Sequence, residues 1–324
     1  MTSISGLWRA AALAAAAAAL PPAPALAQKT TLHVSTIPIV DTAPLQAAIA
    51  QGYFAAEGLE VDTSPTAGGA VGIPALVAGQ VQIAFSNTVS IGVAADKGLG
   101  LKIVSAGSDT GSTAPDLAGL VALPGSNIKT GKDLEGKRLA VNTRQNVIWL
   151  YANAWVEKTG GDPNKVTYAE LPFPQMIDAV KNKQVAVAFA IEPFLSAALA
   201  AKEVELVAWP YNTVQKDIPI AGYAATQSFI AEHPDVMAKF VRAYDKGVDW
   251  VNQNVNTPEF AKLISSYTRL PADRVKAFHL PPFKKAIDPV ELDKTLALMR
   301  KFKMISDKTT AASLLYKTAR ADGK

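Results

Sequence analysis

Short apolar runs alternate with longer amphipathic stretches along most of this chain. Leu32–Val34, Leu59–Val61, Val81–Phe85 and Lys102–Ser105 read as strands, and Pro44–Gln51, Gly72–Ala78 and Val89–Lys97 read as helices between them. Leu117–Ala122 reads as extended. The alternation then resumes, with strands at Arg138–Val141, Val166–Ala169, Val185–Ala190 and Glu205–Ala208 and helices at Val147–Lys158, Pro174–Asn182 and Pro193–Ala201. Strand and helix in turn predict an α/β fold of mainly parallel sheets flanked by helices. After Gly222 the pattern becomes helical: Pro234–Asn252, Pro258–Ser266, Ala272–Ala277 and Pro289–Lys301, several opened by proline in the first turn.

The pattern repeats. "IPALVAGQVQIAF" (Ile73 to Phe85) aligns without gaps with "IDAVKNKQVAVAF" (Ile177 to Phe189), sharing Ile, Ala, Gln, Val, Ala and Phe at matched places. Helix–turn–strand units draw on few residue types, so convergence is one explanation. Two lobes that use one unit is the other. The second gives lobe 1 as residues 28–111 and 219–324 and lobe 2 as 112–218, because the helical tail needs a sheet to cover.

In open α/β sheets a ligand sits beyond the carboxyl ends of the strands. The polar or flexible strand ends here include Val40-Asp41-Thr42, Gly68 in a Gly-rich turn, Ser86-Asn87, Asn142-Thr143-Arg144-Gln145-Asn146 and Glu192. The stretch from Asn142 to Asn146 opens a helix, where unpaired N–H groups and a partial positive charge receive anions. Arg144 adds a fork suited to two oxygens of a sulfonate, carboxylate or nitrate. The same residues also suit plain duties: Asn142 or Thr143 as a cap, Arg144 as a solvated side chain, Asp41 and Glu192 as acids at helix starts. If Asp41 and Glu192 face the cleft, the ligand is zwitterionic rather than purely anionic. Phe173, between two prolines, is a candidate aromatic wall.

Composition narrows the chemistry. The chain has 324 residues, no cysteine, three histidines far apart and a formal charge of +4. Thiol catalysis and thiolate metal sites are thereby excluded, the histidines lack metal-ligand spacing, and the spread cations are weak for nucleic acid. No cofactor or metal is expected. No serine sits in a G-x-S-x-G context, so a hydrolase of that type is unsupported. The N-terminal "MTSISGLWRAAALAAAAAALPPAPALAQK" has the three-part layout of a secretory signal peptide (residues 1–27) ending in Ala25-Leu26-Ala27. Its apolar run is too short to span a bilayer. Without a nearby cysteine, the expected product is an exported protein without a lipid anchor, starting at Gln28.

"APLQAAIAQGYFAAEGLEV", "GGAVGIPALVAGQVQIAFSNTVSIGVAADKG", "IKTGKDLEGKRLAVN", "MIDAVKNKQVAVAFAIEPFLSAAL" and "AGYAATQSFIAEHPDVMAKFVRAYDKGVDWV" together resemble the periplasmic substrate-binding proteins of the nitrate/sulfonate/taurine class of ABC importers. The resemblance implies a type II two-lobed fold with two crossover segments and a monomeric, periplasmic binder. It also implies delivery of a small anion or zwitterion to an ABC permease and its ATPase. It places Val40, Asp41, Thr42, Gly68, Ser86, Asn87, Glu192 and Tyr223 at cleft-lining positions. The helix start departs from the family's pattern: sulfonate binders carry a Gly-Ser-Ser-type run with a histidine, and this chain carries Asn-Thr-Arg-Gln-Asn. That leaves open an aromatic carboxylate or a thiamine-pyrimidine precursor. A branch of the same fold is enzymatic, but it uses a cysteine-rich motif absent here. The expectation is a binder, not an enzyme.

Overall fold

The computed structural model describes residues 29–275, 280 and 282–322. The expected signal peptide, His279 and the end of the expected helix from Ala272 lie outside the described residues. Among the described residues ten strands form two five-stranded sheets. They are β1 (Thr30–Thr36), β2 (Leu59–Pro65), β3 (Ile83–Asn87), β4 (Leu101–Ala106), β5 (Ala118–Ala122), β6 (Arg138–Val141), β7 (Thr167–Glu170), β8 (Val187–Ile191), β9 (Glu205–Ala208) and β10 (Ala221–Thr226). The first sheet has the order β2-β1-β3-β10-β4 and the second β7-β6-β8-β5-β9.

Each sheet has one reversed strand. β10 is antiparallel to β3 and β4, and β5 is antiparallel to β8 and β9. Both are the first strands made after the chain passes from one sheet to the other. Each passage joins strands of different sheets, and the second includes the short helix Pro210–Val214. The passages run side by side: Gly107 N donates to Ala221 O at 2.9 Å, Ile220 N to Ser108 O at 2.9 Å and Thr110 N to Ile218 O at 2.9 Å. They are the two crossovers between the sheets.

The internal repeat is the same local structure twice. Helices Gly69–Val77 and Phe173–Lys181 precede β3 and β8, the middle strands of their sheets. Both helices end through a residue in the left-handed region, Gly79 at φ 73° and Lys183 at φ 57°. At that place glycine costs nothing sterically and lysine carries strain. The closing bonds match as well. Gln80 N reaches Ala75 O at 2.9 Å and Gln184 N reaches Ala179 O at 2.9 Å; Val81 N and Val185 N reach the same acceptors at 3.4 Å. The six-to-one and five-to-two closure after a left-handed residue is the reason the two segments share their sequence pattern.

The C-terminal helices cover the first sheet. Pro234–Asn254 buries Met237, Phe240, Tyr244, Val248 and Val251 at three- and four-residue spacing, the stripe a sheet-covering helix needs. Phe240 stacks on Phe54 at 5.3 Å and meets Tyr223 of β10 at 5.9 Å. Truncating a ring so buried costs about 3–5 kcal/mol. The expected helix at Ala272 is, over its described part, a short 3-10 turn, Ala272–Arg274.

Candidate functional site

The carboxyl ends of β1, β3, β6 and β8 meet between the two sheets. A cavity of about 30 Å³ lies there, walled by Ile37, Ile39, Phe85, Val147, Ile148, Phe173, Ile191, Tyr211, Ile220 and Ala221. Its polar wall is Asp41, Asn87, Asn142 and Asn146, and none of the lining residues is Arg, Lys or His. A water needs roughly 10–15 Å³ by this measure, so the space suits two or three waters, whereas sites for small molecules run to about 300–1,000 Å³. The two lobes meet closely around this space in the structure.

Contacts across the cleft tie the lobes together. Asn87 Oδ1 accepts from Ser90 N at 2.8 Å, capping its own helix, and from Val147 N at 3.2 Å in the other lobe. Val40 N donates to Glu192 O at 3.2 Å. Gly68 is packed so closely that a Cβ there would stand 2.9 Å from Asn142 Nδ2 and 3.1 Å from Thr143 Cγ2. A side chain at residue 68 would press on the Asn142 and Thr143 side chains across the cleft.

Asp41 lies in the 3-10 turn Val40–Thr42 and is buried. Thr42 Oγ1 pins that turn by donating to the carbonyls of Ile37 and Ile39, both at 3.0 Å. Ser108 Oγ, from the first crossover, donates to Asp41 Oδ1. The second oxygen, Oδ2, has no partner among the described residues. Burial pushes the Asp41 carboxyl up to about 6, against the opposing pull of the Ser108 bond.

Two more buried acids stand behind the wall. Glu192 accepts from Ser196 N at 3.1 Å and from Ser196 Oγ at 2.5 Å, so its carboxyl caps the helix that follows β8. Burial raises it to about 7, with Asp41 adding like-charge repulsion. Asp116 precedes Leu117, whose carbonyl accepts from Glu192 N at 2.9 Å. Its Oδ1 accepts from Leu117 N at 2.7 Å, while Oδ2 and the nearby Tyr211 hydroxyl are buried without partners among the described residues. Burial first, and Asp41 in addition, raises Asp116 to about 7.

Of the residues expected from sequence, Asp41, Asn87, Asn142, Asn146 and Phe173 line one cavity. Val40, Thr42, Gly68, Thr143 and Glu192 shape or close it without lining it. Ser86 is buried beneath Gly69, where a Cβ would come within 2.5 Å of its Oγ. Tyr223 is a core residue, 5.3 Å from the Phe85 ring and 4.8 Å from Tyr244. Arg144 and Gln145 are exposed. Arg144 turns away from the cavity, donating to Tyr168 O at 2.9 Å and pairing with Glu170 at 3.4 Å. The helix start that was to receive an anion is already served: Trp149 N donates to Asn146 Oδ1 at 3.0 Å, and Val147 N to Asn87. Asp116 and Tyr211 carry no signal in the sequence, because a buried acid after proline has no pattern of its own.

No helix among the described residues is long and apolar enough to cross a membrane. No group of three or more metal-ligating side chains is gathered among them either.

Solved structures share this architecture. The alkanesulfonate-binding protein SsuA from Xanthomonas axonopodis pv. citri, bound to MOPS, superposes with a TM-score of 0.75 at 14% identity, over 89% of this chain and 99% of that one. The periplasmic nitrate-binding protein NrtA from Synechocystis PCC 6803 gives 0.71 at 17% identity, over 89% and 86%. At such identities the likeness is one of fold: two α/β lobes of the periplasmic-binding-protein type. Among curated proteins, the riboflavin-binding protein RibY of Chloroflexus aurantiacus is 29% identical over 256 residues, 73% of this chain. The match spans 66% of that relative, just under two thirds of its length. The family model described as NMT1/THI5 like matches residues 40–258, from the Asp41 turn through β2 to β10 and the long covering helix. With two such lobes closed over a cavity at their strand ends, the chain belongs to the NMT1/THI5-like family.

Proposed function

We propose that this protein is the extracytoplasmic solute-binding component of an ABC importer. It handles a planar, nitrogen-rich molecule, neutral or cationic, whose N–H or amine groups meet Asp41. The observation that carries this reading is the buried Asp41 on the cavity wall, with a free carboxylate oxygen and no cationic side chain beside it. An anion in that place would face a carboxylate without compensation, which low dielectric makes costly. A ligand amine supplies the missing donor, and a hydrogen bond to a charged group contributes about 1.5–3 kcal/mol. Phe85, Phe173 and Tyr211 offer flat apolar faces, and Asn87 and Asn142 offer amide N–H groups, while the side-chain oxygens of Asn87, Asn142 and Asn146 already accept hydrogen bonds within the protein.

The lobes in this reading are residues up to 111 together with 219 onward, and 112–218. Ligand-stabilised closure presents a surface to a permease and its ATPase. Aminopyrimidines and flavins fit the stated chemistry; the riboflavin relative and the family assignment support that choice, while the sulfonate and nitrate neighbours support the fold alone. A thermal-shift screen tests it with aminopyrimidines, riboflavin and aromatic amines against taurine, alkanesulfonates and nitrate. A ligand at 100 times its dissociation constant adds about 2.7 kcal/mol. Stabilisation by the donor-bearing heteroaromatics is expected. Stabilisation by sulfonates or nitrate instead overturns the reading.

A further inference from the structure

One wall separates the small inner cavity from a much larger groove. Ile37 and Ile39 line the cavity and Pro38 between them lines the groove; Phe173 lines the cavity and Pro174 the groove. Ile191 and Phe194 divide in the same way at the end of β8. The groove has a volume of about 650 Å³ and lies between the lobes, with Arg269 and Arg274 on one side and Lys181 on the other. That volume is in the range of sites for small molecules.

The groove's charges are unequal. Glu203 is held by Arg274 at 3.6 Å and by Lys181 at 3.8 Å, and Lys181 also pairs with Asp178 at 3.4 Å. Arg269 is exposed at the end of helix Pro258–Thr268, with no hydrogen bond or ion pair among the described residues. Three cations thus meet two acids, and Arg269 is the one without a partner. Phe194 and Leu270 give the same groove apolar surface.

We infer that the groove is an outer subsite for an anionic arm of the same ligand, whose head lies against Asp41; this rests on the function proposed above. The ligand is then a two-part molecule: a planar, donor-bearing head and an arm ending in a phosphate or carboxylate that reaches Arg269. Opening of the shared wall at Phe173 and Pro38, as the lobes part, joins the two spaces. Arg269 has the fork that suits either anion.

Calorimetry with two matched pairs tests this: riboflavin against riboflavin 5′-phosphate, and 4-amino-5-hydroxymethyl-2-methylpyrimidine against its phosphate ester. In the wild-type protein at least one phosphate ester is expected to bind roughly tenfold tighter than its alcohol, a preference that shrinks as salt rises. In Arg269→Ala the preference disappears while affinity for the alcohol stays the same; Arg269→Lys retains part of it. If an alcohol binds but neither ester binds better than its alcohol, or the preference survives in Arg269→Ala, the outer subsite is overturned and the head-group reading stands. If none of the four binds, the head-group reading falls, and this inference falls with it.

Discussion

The side chain of Asn87 caps two helices in two different lobes. Its Oδ1 accepts from Ser90 N at 2.8 Å, the first turn of its own helix, and from Val147 N at 3.2 Å, the first turn of the helix beyond β6. Helix starts leave N–H groups unserved, and here one acceptor serves a donor from each lobe. That shared acceptor ties the two lobes together across the cleft.

Asn87→Ala removes both bonds. The loss of a cap costs about 1 kcal/mol, and the closed form loses its cross-cleft tie in addition. Urea unfolding should show the stability loss. Asn87→Ser keeps a shorter acceptor for Ser90 N but cannot span the cleft. It should retain most of the stability while the ligand-free protein scatters X-rays with a larger radius of gyration. A radius equal to that of the wild type would show that the bond to Val147 does not hold the lobes together.

Arg144→Ala should leave ligand affinity unchanged. Its guanidinium pairs with Glu170 at 3.4 Å, and both side chains are about half exposed. Exposed pairs contribute about 0–1 kcal/mol, so stability should fall by no more than that. Titration calorimetry with the ligand found by screening checks the first point. A tenfold loss of affinity would return Arg144 to the site.

Stability should fall as pH rises from about 4 to 7. Asp41, Asp116 and Glu192 have folded-state values near 6, 7 and 7, above their ordinary 3.8, 3.8 and 4.5. In that window the folded chain holds more protons than the unfolded one, so these groups stabilise fully below pH 4 and lose that effect through their folded values. Glu57, Asp96 and Asp133 are lowered by hydrogen bonds to Arg242, to Ser306 and to the Lys129 backbone respectively, so their contribution is lost only at more acid pH. Urea midpoints at pH 5 and pH 8 should differ in favour of pH 5. A cationic ligand should reverse the order and release protons on binding, read from enthalpies in buffers of different ionisation heat.

The fold was largely legible because its elements are periodic. Most strand and helix centres stand where the apolar spacing puts them, and the repeat marked the two middle strands. β10 was missed: Ala221-Gly222-Tyr223-Ala224-Ala225-Thr226 is small and unpatterned, and it becomes a strand through pairing on both sides with β3 and β4. Five of the residues singled out from the sequence, Asp41, Asn87, Asn142, Asn146 and Phe173, come together on one cavity wall, and Arg144 does not. Spacing led to the helix start at Asn146, but not to which way Arg144 turns, since Glu170 reaches it only through the pairing of β6 with β7. The free oxygen of Asp41 depends on Ser108, far along the chain in the first crossover, and no local pattern announces it.

Asp41→Asn separates binding from stability. Asparagine keeps an oxygen to accept from Ser108 and removes a charge that burial disfavours, so the ligand-free protein at pH 8 should be as stable as the wild type or more so. The ligand loses a charged acceptor for its amine, and the new amide N–H₂ points a donor at a donor. Loss of a hydrogen bond to a charged group, about 1.5–3 kcal/mol, weakens binding roughly ten- to a hundredfold. The loss should be greatest at pH 8, where the wild-type carboxyl is ionised, and smaller at pH 5, where it is largely protonated. Calorimetry on both proteins at the two pH values, beside urea unfolding of the ligand-free forms, gives all the comparisons. Equal affinities at pH 8 would remove Asp41 from ligand recognition, and tighter binding by the variant would favour an anionic ligand after all.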